Sequence, residues 1–178
     1  NTTGGFNVAV GANALDANLT GSQNTAIGEN SLTNNTASDN TAVGRDSLRD
    51  NTSGNHNTAV GKDALELNTT GAENTAVGAK ALDANTTASG GAAFGLGALG
   101  ANTTGAENTA LGASSMQQNS TGASNVAVGN QALKSNTTAS DNTAVGYKSL
   151  LSNTTGNSNV AIGFEALKDS TTSSNNTA

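Results

Sequence analysis

Apolar side chains recur along this chain in short, evenly spaced bursts. Each burst is an Ala followed by a larger apolar residue and a Gly. That Gly falls at Gly11, Gly28, Gly44, Gly61, Gly78, Gly95, Gly112, Gly129, Gly146 and Gly163, at intervals of 17 residues with a single interval of 16. The unit reads NTAVGxxALxxNTTGxx and is nearly unblemished from Asn57 to Glu73. Fixed periods in this range signal stacked repeats, so residues 1–178 read as one repeat array of about ten 17-residue coils. The short interval marks a one-residue deletion between Leu32 and Asn40, which a loop can absorb.

Three ladders run through the units. Ala59 and its equivalents fill one slot in every coil, which implies a site too tight for anything larger. The next residue is always apolar, as at Val60, Phe94 and Leu111, and five residues on stands Leu65 or its equivalent, replaced once by Met116. In Thr58-Ala59-Val60, alternation puts Thr and Val on one face and Ala on the other, the period of two of a strand. β-Branched residues at both outer positions suit a covered, pleated surface, and Gly61 then ends the strand through its conformational freedom. Asn57 and Asn68 head the two polar stretches as ladder residues, and NTTG reads as a second, polar corner. A helical reading fails, because the apolar segments are short, Gly interrupts them and no 3.6-residue period persists. The predicted class is all-β, a parallel β-solenoid.

Composition alone would suggest disorder, since Asn, Thr, Ser and Gly dominate and such chains often cannot bury enough surface to offset ordering entropy. Charged residues make up only 11% and Pro is absent, and the strict period decides for order. Only three Phe, one Tyr and no Trp are present. Two large aliphatics per coil are little set against the backbone entropy of 17 residues, so ladder hydrogen bonds or association with other copies must add to them. A homotrimer whose Thr/Val faces meet at an axis is the expected arrangement. The net charge of −6 is spread out, with no basic stripe for nucleic acid and no polybasic membrane anchor. Cysteine is absent, which excludes disulfides and thiolate metal sites. No apolar run approaches a bilayer span, and neither a signal peptide nor a cap is visible. Both ends lie within the pattern, so the segment reads as a piece of a longer fibre.

The segments NVAVG, NTAIG and NVAIG at Asn7, Asn24 and Asn159 resemble the head repeats of trimeric autotransporter adhesins of the Yersinia adhesin type. That resemblance implies a left-handed, trimeric parallel β-roll on a bacterial surface, binding matrix proteins or cells. The coils here are about three residues longer, the extra length lying in the NTTG corner. Arrays of NTAIG and NTTG are also similar to the repeat shafts of phage-type tail fibres and related surface proteins that end in a self-cleaving chaperone domain. No ligand-binding residue carries over from either family, because the repeated motif is scaffold.

Candidate chemistry is sparse. Gly95, Gly97 and Gly100 formally satisfy GxGxxG, but no βαβ unit surrounds them. His56 is the single histidine, in a variable slot filled elsewhere by Gln23, Glu73 and Glu107, and no nucleophile–base or paired-carboxylate team accompanies it. Asp46, Asp63, Glu66 and Glu73 lack a calcium-repeat pattern. No catalytic, cofactor or metal site is therefore expected. The NTTG corner makes sequons at Asn18, Asn34, Asn51, Asn68, Asn85, Asn102, Asn119, Asn136 and Asn153, candidate N-glycosylation sites against a plainer reading as turn and ladder residues. Ala replaces the corner Gly at Ala37, Ala88 and Ala139, each followed by Ser, which gives a longer rhythm of three coils. The expectation is a structural or adhesive segment of an extracellular fibre, on a cell surface or virion, with self-association and an unidentified host-surface or matrix ligand. A glycosylated filament or sheath subunit is the alternative, and an ice-binding solenoid a distant one.

Overall fold

A computed structural model describes residues 2–178; Asn1, the head of the first corner in the sequence reading, lies outside them. Ten three-residue strands follow one another along the chain: β1 Val8–Val10, β2 Thr25–Ile27, β3 Thr41–Val43, β4 Thr58–Val60, β5 Thr75–Val77, β6 Ala92–Phe94, β7 Thr109–Leu111, β8 Val126–Val128, β9 Thr143–Val145 and β10 Val160–Ile162. They form one parallel sheet in sequence order. Each coil is numbered below by its strand. Register is strict, Ala59 pairing with Ala42 before it and Ala76 after it. The all-β parallel solenoid with coils of about 17 residues is thus what the chain forms.

The interior has an apolar and a polar half. Ala59 and Leu65, with their equivalents, form two fully buried columns through the inner coils, and Met116 takes its Leu place without exposure. Between them runs a column that is either Ala (Ala64, Ala81, Ala98, Ala132) or Ser (Ser31, Ser47, Ser115, Ser149), all buried. The Ser hydroxyls donate to the Gly carbonyl three residues back, as Ser47 does to Gly44 at 2.8 Å, so a buried hydroxyl is tolerated where Ala would also fit.

The polar half is built from Asn. Asn68 Nδ2 donates to Asn51 Oδ1 at 2.8 Å and to Gly71 O at 2.9 Å, and the same link repeats from Asn35 to Asn153. A second ladder runs through the Asn that precedes each strand. Asn57 Oδ1 accepts the Asn74 backbone N–H at 3.0 Å, and Asn57 Nδ2 donates to Gly71 O at 2.8 Å. Amides suit this role because each supplies a donor and an acceptor along the same axis. Outside, Thr69 Oγ1 donates to Thr86 O at 2.9 Å, a bond repeated along the first Thr of the corners.

Corner geometry departs from the sequence expectation. Gly61 does take a conformation that side chains resist, with φ 136°, and an added Cβ would lie 2.7 Å from the Gly78 carbonyl. The Leu column is left-handed as well: Leu65 has φ 51°, and Leu32, Leu48, Leu82, Leu99 and Leu150 lie close to it. Leu has no local preference for that region. The conformation lets the Leu65 N–H reach Ala81 O of the next coil at 3.0 Å while the side chain stays in the core. Burial of the side chain, about 1.5–3 kcal/mol, offsets a backbone cost of about 1–2 kcal/mol.

The deletion falls between Thr36 and Ala37. Asn18 Nδ2 reaches Gly21 O across three residues, whereas Asn35 Nδ2 makes the equivalent bond to Ala37 O across two. The missing residue is the second Thr of the corner, which is exposed in the other coils, as at Thr70 and Thr104. The interior is therefore untouched.

Candidate functional site

The repeating scaffold leaves three kinds of surface: the outer face of the sheet, the corner edge and the variable slots. On the outer face lie the first and third residues of every strand. Thr58 and Val60 are half-buried there, so the chain itself does not cover the Thr/Val face. No charged residue occurs on it from β1 to β10. Ile27, Phe94 and Leu111 each remain more than a third exposed (39%, 42% and 37%). Beside it, Tyr147 and Phe164 stack with ring centroids 5.5 Å apart, and Lys148 Nζ sits 5.0 Å from the Tyr147 ring centre.

The corner edge alters the reading of the sequons. Asn18, Asn51, Asn68, Asn85, Asn102, Asn119, Asn136 and Asn153 are fully or almost fully buried, and the Nδ2 that would carry a glycan is the donor of the inner ladder. A sugar on any of these eight is incompatible with this packing, which favours their plainer reading as ladder residues. Asn34 differs. The deletion shifts the sequon by one residue, so the buried ladder position is Asn35 while Asn34 is exposed, its Nδ2 3.2 Å from Asp50 Oδ1.

Of the ladder residues named from sequence, Ala59, Leu65, Asn57 and Asn68 are inside, and Gly61 is at the close approach between coils. Val60 faces outward. His56 is exposed, in a corner slot with φ 56°. Gly95 is the repeat Gly with φ 136°, and Gly97 and Gly100 lie in a turn, not at the start of a helix.

Charge is concentrated in coils 3–5, which the sequence did not single out. Asp63, 6% exposed, has Arg45, Lys62 and Lys80 within 3.9 Å. A second cluster joins Arg49 to Asp50 and Glu66. Hydrogen bonding from Arg49 holds the Asp50 carboxyl below the usual carboxylate range, against some desolvation. Asp83 is shifted upward, because desolvation outweighs the pull of Lys80. Pairs this exposed add little stability; their arrangement matters more for what the surface can contact.

Coil 6 interrupts the variable slots. Gly97 and Gly100 open a notch of about 340 Å³, with Lys80 and Asp83 on one side and Gln117 and Gln118 on the other. The signal in sequence is that residues 90–101 contain no polar side chain at all. The chain matches none of the protein-family models, curated proteins or solved structures with which it was compared.

Proposed function

We propose that this chain is a non-catalytic, stiff segment of an extracellular surface fibre that associates with two further copies of itself and displays its variable slots at regular intervals. The observation that carries the reading is the outer face of the sheet: ten strands of uncharged residues in strict register, with large aliphatic side chains left half-exposed. A row of partly exposed apolar side chains in register, with Thr beside it and no charge, suits a contact surface. Another copy of the same chain offers a face with the same coil spacing, so that Thr and Val rows can pack along the whole rod. The resemblance of NTAIG and NVAIG to adhesin head and tail-fibre repeats supports the same assembly, with the left-handed winding and the cell-surface or virion location that it implies.

The scaffold also suits display. Ladder residues are inside, so substitutions at slots such as those of Asn30, Lys80 and Gln131 leave the fold intact while changing the surface. Mechanism in such a protein is spacing and multivalency. Light scattering under native conditions is the test: three times the chain mass is expected, and Val77→Lys, which puts a charge at the centre of the face, should return the mass of one chain. A monomer in the unsubstituted protein refutes the association.

A further inference from the structure

We propose that the notch of coil 6 binds a saccharide, one or two pyranose rings deep. This rests on the reading of the rod as a display surface and names what one part of that surface recognises.

The notch exists because two side chains are missing. The slot of Gly97 holds a polar residue in every other coil, among them Asp63, Lys80, Ser114 and Gln131, and the slot of Gly100 holds Glu66, Asp83, Gln117 or Lys134 in its neighbours. Nothing in the neighbouring coils fills the space. A Cβ on Gly97 would find only Gln117 Nε2, at 3.5 Å, so there is room for a side chain that the sequence does not supply. The floor is the backbone of Gly97 and Gly100 with the methyl of Ala101, and the volume of about 340 Å³ falls at the small end of ligand pockets.

Chemistry selects the ligand. The floor belongs to a run from Gly90 to Ala101 without one polar side chain, and what it exposes is mainly C–H groups. Above it stand a carboxylate, an ammonium and two primary amides. Lys80 Nζ and Asp83 Oδ2 are 3.6 Å apart, and Asp83 Oδ1 leans toward Gly100, 3.4 Å from where its Cβ would lie. A pyranose has the matching form, with one face of C–H groups and a rim of hydroxyls. Vicinal hydroxyls can donate to Asp83 and exchange donor and acceptor bonds with the Gln117 and Gln118 amides, while Lys80 donates. A phosphate would meet Asp83 at close range, and a purely apolar ligand would take these four polar groups out of water without bonding to them.

Titration of the isotope-labelled full chain with lactose, cellobiose and N,N′-diacetylchitobiose, followed by amide chemical shifts, tests this. Saturable shifts in the millimolar range are expected at Gly97, Gly100, Ala101 and Gln118 for at least one sugar. The acyclic polyol sorbitol should give none. Gly97→Asn/Gly100→Gln restores the side-chain types of neighbouring coils and should weaken binding at least about tenfold, with native circular dichroism showing that the rod still folds. Asp83→Asn and Gln117→Ala should weaken it without filling the notch. Absence of localised shifts with all three sugars, equal shifts with sorbitol, or undiminished binding in the filled variant overturns the proposal. The same sample gives the native mass, so a monomer that binds sugar sinks only the association, and a trimer without binding sinks only the site.

Discussion

Gly91 breaks the second Asn ladder, the one through the residue before each strand, at a single rung, and replacing it with Asn should stabilise the protein. Asn74 Oδ1 already accepts the Gly91 N–H at 2.8 Å, but Gly91 has no side chain to pass the pattern on, and the Asn108 N–H has no Oδ1 before it. Asn108 Nδ2 partly adapts, bonding both Gly122 O at 2.7 Å and Gly105 O at 3.1 Å. Gly91 does not have a positive φ, so Asn can adopt its backbone. A Cβ there would meet Leu82 Cδ1 at an ordinary 3.4 Å and Asn74 Oδ1 at 3.0 Å, which asks the Asn74 side chain to give by a few tenths of an ångström. Two restored bonds contribute about 1 kcal/mol each, and the loss of Gly freedom in the unfolded chain adds about 0.4–1 kcal/mol. Ordering the new side chain costs about 1 kcal/mol. The net gain is about 1–2 kcal/mol, or about 2–8 °C in thermal midpoint for a chain of this size. Thermal denaturation by circular dichroism measures it, with Gly91→Ala separating the backbone effect from the hydrogen bonds. Hydrogen exchange at the Asn108 amide should slow in Gly91→Asn alone. A midpoint no higher than that of Gly91→Ala, with Asn108 exchange unchanged, would refute the ladder argument.

The other expectations concern corners and charges. Gly61→Ala places a methyl against the Gly78 carbonyl at φ 136° and should cost more than about 3 kcal/mol, with hydrogen exchange accelerated first in coils 4 and 5; near-native stability would contradict the close approach. Glu107→Gly should stabilise by about 0.5–1 kcal/mol by relieving a φ of 59° at the slot where Gly90 already stands, and a lower chemical midpoint would count against it. Carbon-detected titration should find Asp50 ionising below, and Asp83 above, the ordinary carboxylate range. The Asp50 contribution is present above its unfolded pKa and lost as pH falls through the depressed folded value, whereas ionising Asp83 costs stability as pH rises through its raised value. Both effects should be small at these exposures; matched midpoints for the two groups would remove the basis for the Arg49 and desolvation arguments. Expressed in a host with the oligosaccharyl transferase, the folded protein should carry glycan at Asn34 and at none of the eight buried corner sequons from Asn18 to Asn153, as peptide mass mapping would show.

Sequence made the ladders legible because a solenoid repeats one environment ten times. Ala59 and Leu65 recur where only one volume fits, and counting from Gly61 gives the register without any structural input. The Asn columns were harder to place. NTTG is equally a turn, a sequon and a ladder, and only the three-dimensional path shows that Asn68 turns inward while Thr70 turns out. At NNTAS the two neighbouring Asn compete for one inward slot, so the site of the deletion and the exposure of Asn34 were both hidden. Left-handed Leu65 was invisible for a different reason: local preference opposes it, and inter-coil hydrogen bonding with burial decides. The notch was overlooked because Gly97 and Gly100 fall in slots that vary, where an absent side chain looks like ordinary drift.

The stacking of coils also fixes how such a rod yields to load. Each coil bonds mainly to its immediate neighbours, so tension along the axis acts on one interface at a time, starting at an end. Releasing a coil of 17 residues converts a rise of about 4.8 Å into as much as about 60 Å of extended chain. A pulled fibre would therefore lengthen in equal, discrete increments of about 50 Å, each dissipating the bonds of one coil while the rest of the rod stays intact. Single-molecule extension traces would show that stepped pattern, and a single all-or-none rupture would exclude it. Stiffness under small loads and graded lengthening under large ones would then both follow from a core in which each layer is satisfied by the layer beside it.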